Sequence, residues 1–274
     1  MASAGNGSCG STMKAAFALL EPLLDPPADL EDIFRESLEA PPPPVAPVEK
    51  PGCRLDRVAP REFELCLRSS VEQVMRELHQ DPAEVPPWFY RKVGERLAAE
   101  RDFIERALAR GEGTIPMLEE ELRAARMPPL LHYLALIESG YRDDARSQAG
   151  AVGMWQFVPS TARDYGLRIT TGRDDRRDAA KSTRAAARYL RDLTFDFGGD
   201  ALLLALAGYN RGENGVRRAL RRLESPWSDR SLWALIEGGL LPQETADYLP
   251  RYMAAAVAGE AGLPSEDQLR AAGY

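Results

Sequence analysis

Leu130-Leu131-His132-Tyr133-Leu134-Ala135-Leu136-Ile137-Glu138-Ser139-Gly140-Tyr141 is the stretch whose reading decides the fold. Pro128-Pro129 open a strongly apolar run through Ile137, which predicts a helix lying inside a core. That helix ends on an ionisable Glu138 followed by a Ser-Gly break. A carboxyl at the C-terminal end of a buried helix meets low polarity and the negative end of the helix dipole. Both disfavour the anion and raise its pKa. A raised pKa is what a carboxylic acid needs to donate a proton near neutral pH. Glu138 also fits the plainer role of the first exposed residue after a core helix, since acids sit outside. The stretch alone leaves both readings open.

Working outward, the helical pattern extends over nearly everything from Arg61 onward. Leu65, Val71, Val74, Met75 and Leu78 recur at threes and fours, as do Val93, Leu97, Phe103, Ile104 and Leu108. Gly111 to Thr114 breaks that run, and Pro116 suits the first turn of the next helix. Further helices are expected over Asp178 to Phe197, Asp200 to Asn210, Ser228 to Glu237 and Pro242 to Glu260, each opening near Asp, Ser or Pro. Alternating stretches of strand length are essentially absent. The fold class expected is mainly α.

Composition divides this body from a tail. The chain has 274 residues and 21 prolines, ten of them in the first 60 residues. Pro41-Pro42-Pro43-Pro44 and nine acidic against five basic residues make residues 1–60 an acidic, disordered tail or linker by expectation. Within it, Met13 to Leu24 has the spacing of a short amphipathic helix. Lys14 precedes only six apolar residues before Glu21, shorter than the roughly 7–15 of a signal-peptide core, so no clear export signal is read there. No apolar run approaches the roughly 18–20 residues of a transmembrane segment. The net charge of −7 argues against a nucleic-acid coat. His79, His132, Cys9, Cys53 and Cys66 lack metal-ligand spacing, so neither a metal nor another cofactor is expected. Cys53 and Cys66 fit a disulfide in an oxidising compartment as well as they fit two free thiols.

Two more segments carry groups suited to chemistry. In Ser147-Gln148-Ala149-Gly150-Ala151-Val152-Gly153-Met154-Trp155-Gln156-Phe157, the two glycines allow close backbone approach. Trp155 and Phe157 offer faces for a sugar ring, and the Gln156 amide both donates and accepts. Core packing is the plainer reading for Met154 and Phe157. In Ala205-Leu206-Ala207-Gly208-Tyr209-Asn210-Arg211-Gly212-Glu213, an apolar helix again ends in polar side chains. Three apolar elements that each release hydrogen-bonding groups at one end suit a cleft better than a closed core.

These blocks, from Glu138-Ser139-Gly140-Tyr141 through Gly208-Tyr209-Asn210-Arg211-Gly212-Glu213, closely resemble the ordered motifs of soluble-lytic-transglycosylase (SLT-type) domains. Asp174 to Asp178, Ser182 to Leu190 and Glu244-Thr245-Ala246-Asp247-Tyr248-Leu249-Pro250 look most like the membrane-bound lytic murein transglycosylase D branch. The resemblance implies a lysozyme-like catalytic domain over residues 128–274, preceded by a helical region over residues 61–127 that packs on it. It implies cleavage of the β-1,4 bond between N-acetylmuramic acid and N-acetylglucosamine in peptidoglycan glycan strands. Glu138 matches the single catalytic acid/base; Ser147, Gln156, Tyr209, Asn210 and Tyr248 match substrate-binding positions, with Met154 and Trp155 walling the cleft. The substrate implies a periplasmic or envelope location, and the Pro-rich tail suits an envelope protein partner.

The chemistry needs no metal and no second protein carboxylate if the substrate's own acetamido group assists. A hydrolytic muramidase on the same fold and a non-catalytic peptidoglycan-binding scaffold are the alternatives. Three departures from the family pattern stand out: Gly208 where Ala is more frequent, Ala201 where Trp is common, and Arg142-Asp143-Asp144 in place of an Asn-Pro stretch. Asp143 and Asp144 also raise the question of a second carboxylate that activates water, against the plainer reading of a solvated turn. Residues 160–225 carry 14 basic against nine acidic residues, a local balance of +5 that suits either a solvated face or docking to stem-peptide carboxylates.

Overall fold

The computed structural model describes residues 52–199, 201–225 and 230–274. The expected Met13 to Leu24 helix and the tail through Pro51 lie outside the described residues. Twelve α-helices are found among those described: α1 (Phe63–Glu77), α2 (Pro87–Gly111), α3 (Ile115–Ala124), α4 (His132–Ser139), α5 (Pro159–Asp164), α6 (Ala179–Phe197), α7 (Leu202–Arg211), α8 (Glu213–Leu220), α9 (Leu232–Glu237), α10 (Gln243–Ala246), α11 (Tyr248–Ala261) and α12 (Glu266–Ala271). A small antiparallel pair, β1 (Ile169–Thr170) and β2 (Arg173–Asp174), turns through Gly172. The mainly α class is what the apolar spacing predicts.

At the centre runs α11, buried on nearly every side from Tyr248 to Ala261. Such a helix belongs in a core rather than on a surface. Small residues let its neighbours approach closely: a Cβ on Gly259 would stand 2.0 Å from the Tyr133 hydroxyl of α4. Around it pack α1, α2, α4 and α7, while α6 lies against α3 and α7. The core is continuous from Leu55 to Leu269, so the helices of residues 61–127 share it with those that follow.

The expected Pro242 to Glu260 helix is in fact two, separated at Asp247. Pro250 has no N–H to donate to the Ala246 carbonyl, so α10 stops and α11 starts afresh with proline in its first turn. The break puts Tyr248 at a helix start. Asp178 caps α6, its Oδ1 accepting from the Lys181 N–H at 2.9 Å, and Ser231 caps α9 in the same way through the Ala234 N–H at 3.1 Å.

Residues 52–60, grouped with the tail by composition, are part of the folded body. Leu55 is fully buried, and its N–H donates to the Ala261 carbonyl at 2.8 Å. Cys53 and Cys66 form a disulfide between Cα atoms 5.6 Å apart, tying this segment to α1. A loop closed by two residues 13 positions apart is worth about 3 kcal/mol of chain entropy. Reduction is therefore expected to lower the unfolding free energy by about 3 kcal/mol, read by denaturant melts with and without a thiol. Coincident melts would show that the bridge constrains nothing in the unfolded chain.

Candidate active site

Seven of the eight residues that lead into the Glu138 position are apolar or aromatic, and α4 buries His132 through Ile137 before its chain direction changes. The turn is made by two successive left-handed residues, Gly140 at φ 63° and Tyr141 at φ 59°. Glycine takes that conformation without a Cβ penalty. Gly140 is also close-packed, since a Cβ there would stand 2.9 Å from Arg110 Nη1, which donates to the Gly140 carbonyl at 2.5 Å. Ser139 pins the helix end to the next segment: its hydroxyl donates to the Met154 carbonyl at 2.8 Å and accepts from the Arg142 N–H at 3.0 Å. Glu138 is thereby half-buried where α4 meets the loop.

The loop from Arg142 to Phe157 has little regular structure, only isolated bridges of Val152 to Arg146 and Phe157. Its shape is set by Arg176, which is 5% exposed. The Arg176 guanidinium donates to the carbonyls of Gly150 at 3.0 Å and Phe157 at 3.1 Å, and grips both Asp174 oxygens at 2.9 and 2.7 Å. The backbone passes so close that a Cβ on Gly153 would meet the Arg176 carbonyl at 1.9 Å, and Gly153 has φ 86°. Gln156, also left-handed at φ 49°, donates through Nε2 to the Gly153 carbonyl at 2.7 Å. That bond orients the amide and leaves its oxygen as the group to meet a ligand. Ser147 caps the loop, accepting from the Ala151 N–H at 3.1 Å.

The third side comes from α7 and α11. The Tyr209 hydroxyl donates to the Trp155 carbonyl at 2.7 Å, and the Asn210 side-chain oxygen accepts from the buried Thr245 hydroxyl at 2.9 Å. The Asn210 NH2 is then the end available to the cleft. From the start of α11, the Tyr248 hydroxyl donates to Glu138 Oε1 at 2.5 Å. One turn on, Arg251 is held by Glu100 of α2 at 2.8 and 3.1 Å.

Glu138, Ser147, Gln156, Tyr209 and Asn210 line one cleft of about 360 Å³, together with Phe157, Tyr189 and Glu244. Tyr248 reaches that cleft through its bond to Glu138. Met154 and Trp155 do not line it, which corrects their expected place on its wall. Both are buried, Trp155 completely, and the indole N–H donates inward to Thr183 at 2.9 Å. They back the site through their carbonyls instead. Asp143 and Asp144 are exposed and absent from the cleft lining, Asp144 accepting from Arg142 at 3.3 Å. Among the described residues that line the cleft, the second carboxylate is Glu244, a residue that composition marks only as one more surface acid.

Loss of hydration pushes the Glu138 carboxyl above its ordinary range; Tyr248 and Arg251 pull it down, and the Glu244 charge pushes it up again. Desolvation is the largest of these and sets the sign. Burial likewise pushes the Tyr209 and Tyr248 phenols well up, with Glu138 adding to both, so both remain donors. Behind the site, burial drives His132 down to about 3, and its Nδ1 lies 2.6 Å from the Tyr141 hydroxyl. His132 is neutral there.

Residues 116–228 match the family described as Transglycosylase SLT domain. Over 164 residues the chain is 34% identical to Membrane-bound lytic murein transglycosylase D of Escherichia coli, an alignment covering 60% of this chain and 35% of that protein. It is 38% identical over 101 residues to Membrane-bound lytic murein transglycosylase F of Shewanella frigidimarina, covering 35% of this chain and 20% of that protein. A solved inactive mutant of the lytic transglycosylase Slt from Pseudomonas aeruginosa aligns with a TM-score of 0.46 at 19% identity, covering 78% of this chain and 39% of that one. The chain thus spans about a third of the length of the transglycosylase D relative. The matched segment carries Glu138, Ser147, Gln156, Tyr209 and Asn210, whereas Tyr248 and Arg251 lie beyond it.

Two outcomes follow from the Glu138 environment. A carboxyl whose pKa is raised by folding costs stability as pH climbs from the unfolded value, about 4.3, through the folded one. Glu138→Gln, which keeps an acceptor for Tyr248, is therefore expected to raise Tm at pH 7 and to change it little below pH 4. Equal melting at both pH values would refute the raised pKa. Tyr248→Phe removes a bond to the carboxylate form, so the Glu138 pKa is expected to rise further in carbon-13 NMR titration; a fall would show that the hydroxyl favours the acid form.

Proposed function

We propose, from the premise that residues 116–228 are a transglycosylase SLT domain, that this protein is a peptidoglycan lytic transglycosylase with Glu138 as its acid/base. The observation that carries the reading is a carboxyl with a raised pKa at a polar cleft, with one oxygen already bound by Tyr248. Oxygen Oε1 is occupied, so the acidic proton belongs on Oε2.

In this reading, a muramoyl residue sits with its glycosidic oxygen at Glu138. The 2-acetamido oxygen attacks C1 as Glu138 protonates the leaving oxygen, and the C1–O bond to the next sugar breaks. Ser147, Gln156 and Asn210 hold the acetamido and ring substituents during that step. The muramoyl 6-hydroxyl then attacks C1, gives its proton to the Glu138 carboxylate and displaces the acetamido oxygen. The acid is restored, no water is consumed, and the new end is a 1,6-anhydro ring. General acid–base assistance of this kind is worth about 10²–10⁴ in rate.

Glu244 gives the competing reading its one specific support. An ordinary glycosidase needs two carboxylates across the scissile bond, and Glu244 lines the same cleft as Glu138. The products separate the two. Digestion of purified sacculi is expected to yield 1,6-anhydro muropeptides, lighter by one water than reducing ends in mass spectrometry. Glu138→Gln is expected to cut the rate by at least about 10²-fold, whereas Glu244→Gln leaves the anhydro ends in place. Reducing ends that disappear with Glu244→Gln would establish the hydrolase instead.

The envelope location that such a substrate demands, and a partner for the Pro-rich tail, belong to the same proposal. Among the described residues no helix is long and apolar enough to cross a membrane.

A further inference from the structure

Beside the cleft lies a second cavity of about 390 Å³. Arg211, Arg218 and Arg222 line it, over an apolar floor of Leu240, Leu241 and Pro242. Arg211, the last residue of α7, lines both this cavity and the cleft, so the two adjoin. Arg218 and Arg222 are four apart along α8 and its end, which puts them on one face.

Among the described residues, none of these three guanidinium groups has an ion-pair or hydrogen-bond partner. Their neighbour Arg217 does, pairing with Asp196 at 3.0 Å. No Asp or Glu is among the described residues that line the cavity. A cavity lined by three other arginines, Arg146, Arg173 and Arg177, differs in this respect: Asp174 lines it, and its Arg173 is bonded to Asp175 at 3.0 Å. Three like charges gathered over an apolar floor repel one another, and an anion placed among them relieves that repulsion. A planar carboxylate suits the guanidinium fork, which binds it through paired hydrogen bonds.

We propose that this pocket holds carboxylates of the peptide stem borne by a muramoyl residue in the cleft, so that the protein selects peptide-bearing strands over bare glycan. The proposal rests on the transglycosylase reading for the occupant of the cleft, and on the pocket alone for the recognition of the stem. A stem leaving the glycan toward Arg211 meets the pocket directly, with its aliphatic portions on the floor and its carboxylates on the arginines.

The test is a titration of the full chain with the soluble tripeptide L-alanyl-γ-D-glutamyl-meso-diaminopimelate at low salt, followed by NMR. Saturable binding is expected, about tenfold weaker in Arg218→Gln/Arg222→Gln and about tenfold weaker for the tripeptide with amidated carboxylates. Added salt is expected to weaken it further, because the arginines are exposed. Both positions being exposed, matching melts of parent and variant check that the fold is intact. Equal affinity in the variant, equal affinity for the amidated peptide, or no saturable binding by the parent each overturns the proposal. Turnover separates it from the function beneath: the ratio of kcat/KM on peptide-bearing to amidase-stripped strands is expected to fall about tenfold in the variant. A parent that binds the tripeptide yet leaves all glycan intact would sink the transglycosylase reading and spare the pocket. Cleavage with the same ratio in parent and variant would do the reverse.

Discussion

The hydrogen bond from the Tyr248 hydroxyl to Glu138 joins residues 110 positions apart, and the site is built around it. Glu138 ends a helix buried in the core, and Tyr248 begins the helix buried on nearly every side. Neither can shift without moving the centre of the molecule. The carboxyl they hold is subject to opposing influences: dehydration and Glu244 favour the acid, Tyr248 and Arg251 the anion. The pKa stays raised in part because Arg251 is already engaged, with both Glu100 oxygens within 3.1 Å. A bare guanidinium one turn from Tyr248 would stabilise the carboxylate far more. Glu100, on a helix that contributes nothing to the cleft lining, thus helps keep Glu138 protonatable.

A second constraint holds the opposite wall. The loop bearing Ser147 and Gln156 has almost no regular ladder, yet its carbonyls are tied by Arg176, whose charge Asp174 balances with both oxygens. A buried charge-assisted fork of this kind is geometrically exacting. Gly153 then follows as a steric requirement, since backbone of residue 176 occupies the place of its Cβ. Asp174 to Asp178 therefore serves the site from behind, by fixing where Gln156 and Ser147 stand.

The path of the core was readable because apolar spacing and a Ser-Gly break coincide at Glu138, and because α7 ends in the same abrupt way at Tyr209 and Asn210. What periodicity cannot tell is the side on which an aromatic residue lies. Trp155 was expected on the cleft wall and instead faces Thr183, because an indole N–H in a core needs a partner there. Tyr248 carried no signal of its own in the residue pattern. An unbroken helix from Pro242 would have made it an ordinary interior position, and only the break that Pro250 enforces at Asp247 turns it toward Glu138. Glu244 and Arg176 escaped for a related reason: charged residues are read as solvated unless their partners, distant or buried, are already in view.

Gly208 shows how little of the cleft's placement is due to the cleft residues themselves. A Cβ at Gly208 would stand 2.9 Å from the Phe197 ring and 3.4 Å from Leu193, both buried side chains of α6. The ring therefore occupies the space that an alanine would need, and α7 lies correspondingly close to α6. That closeness sets the position of the next residue, Tyr209. Its ring packs 5.3 Å from Tyr189 of α6 and 6.3 Å from Phe157 of the loop, and its hydroxyl meets the Trp155 carbonyl. A glycine with no group to offer a substrate thus decides how three aromatic side chains meet at the cleft. Exchanging Gly208 for Ala would press against Phe197 first and reach Tyr209 only through the movement of α7.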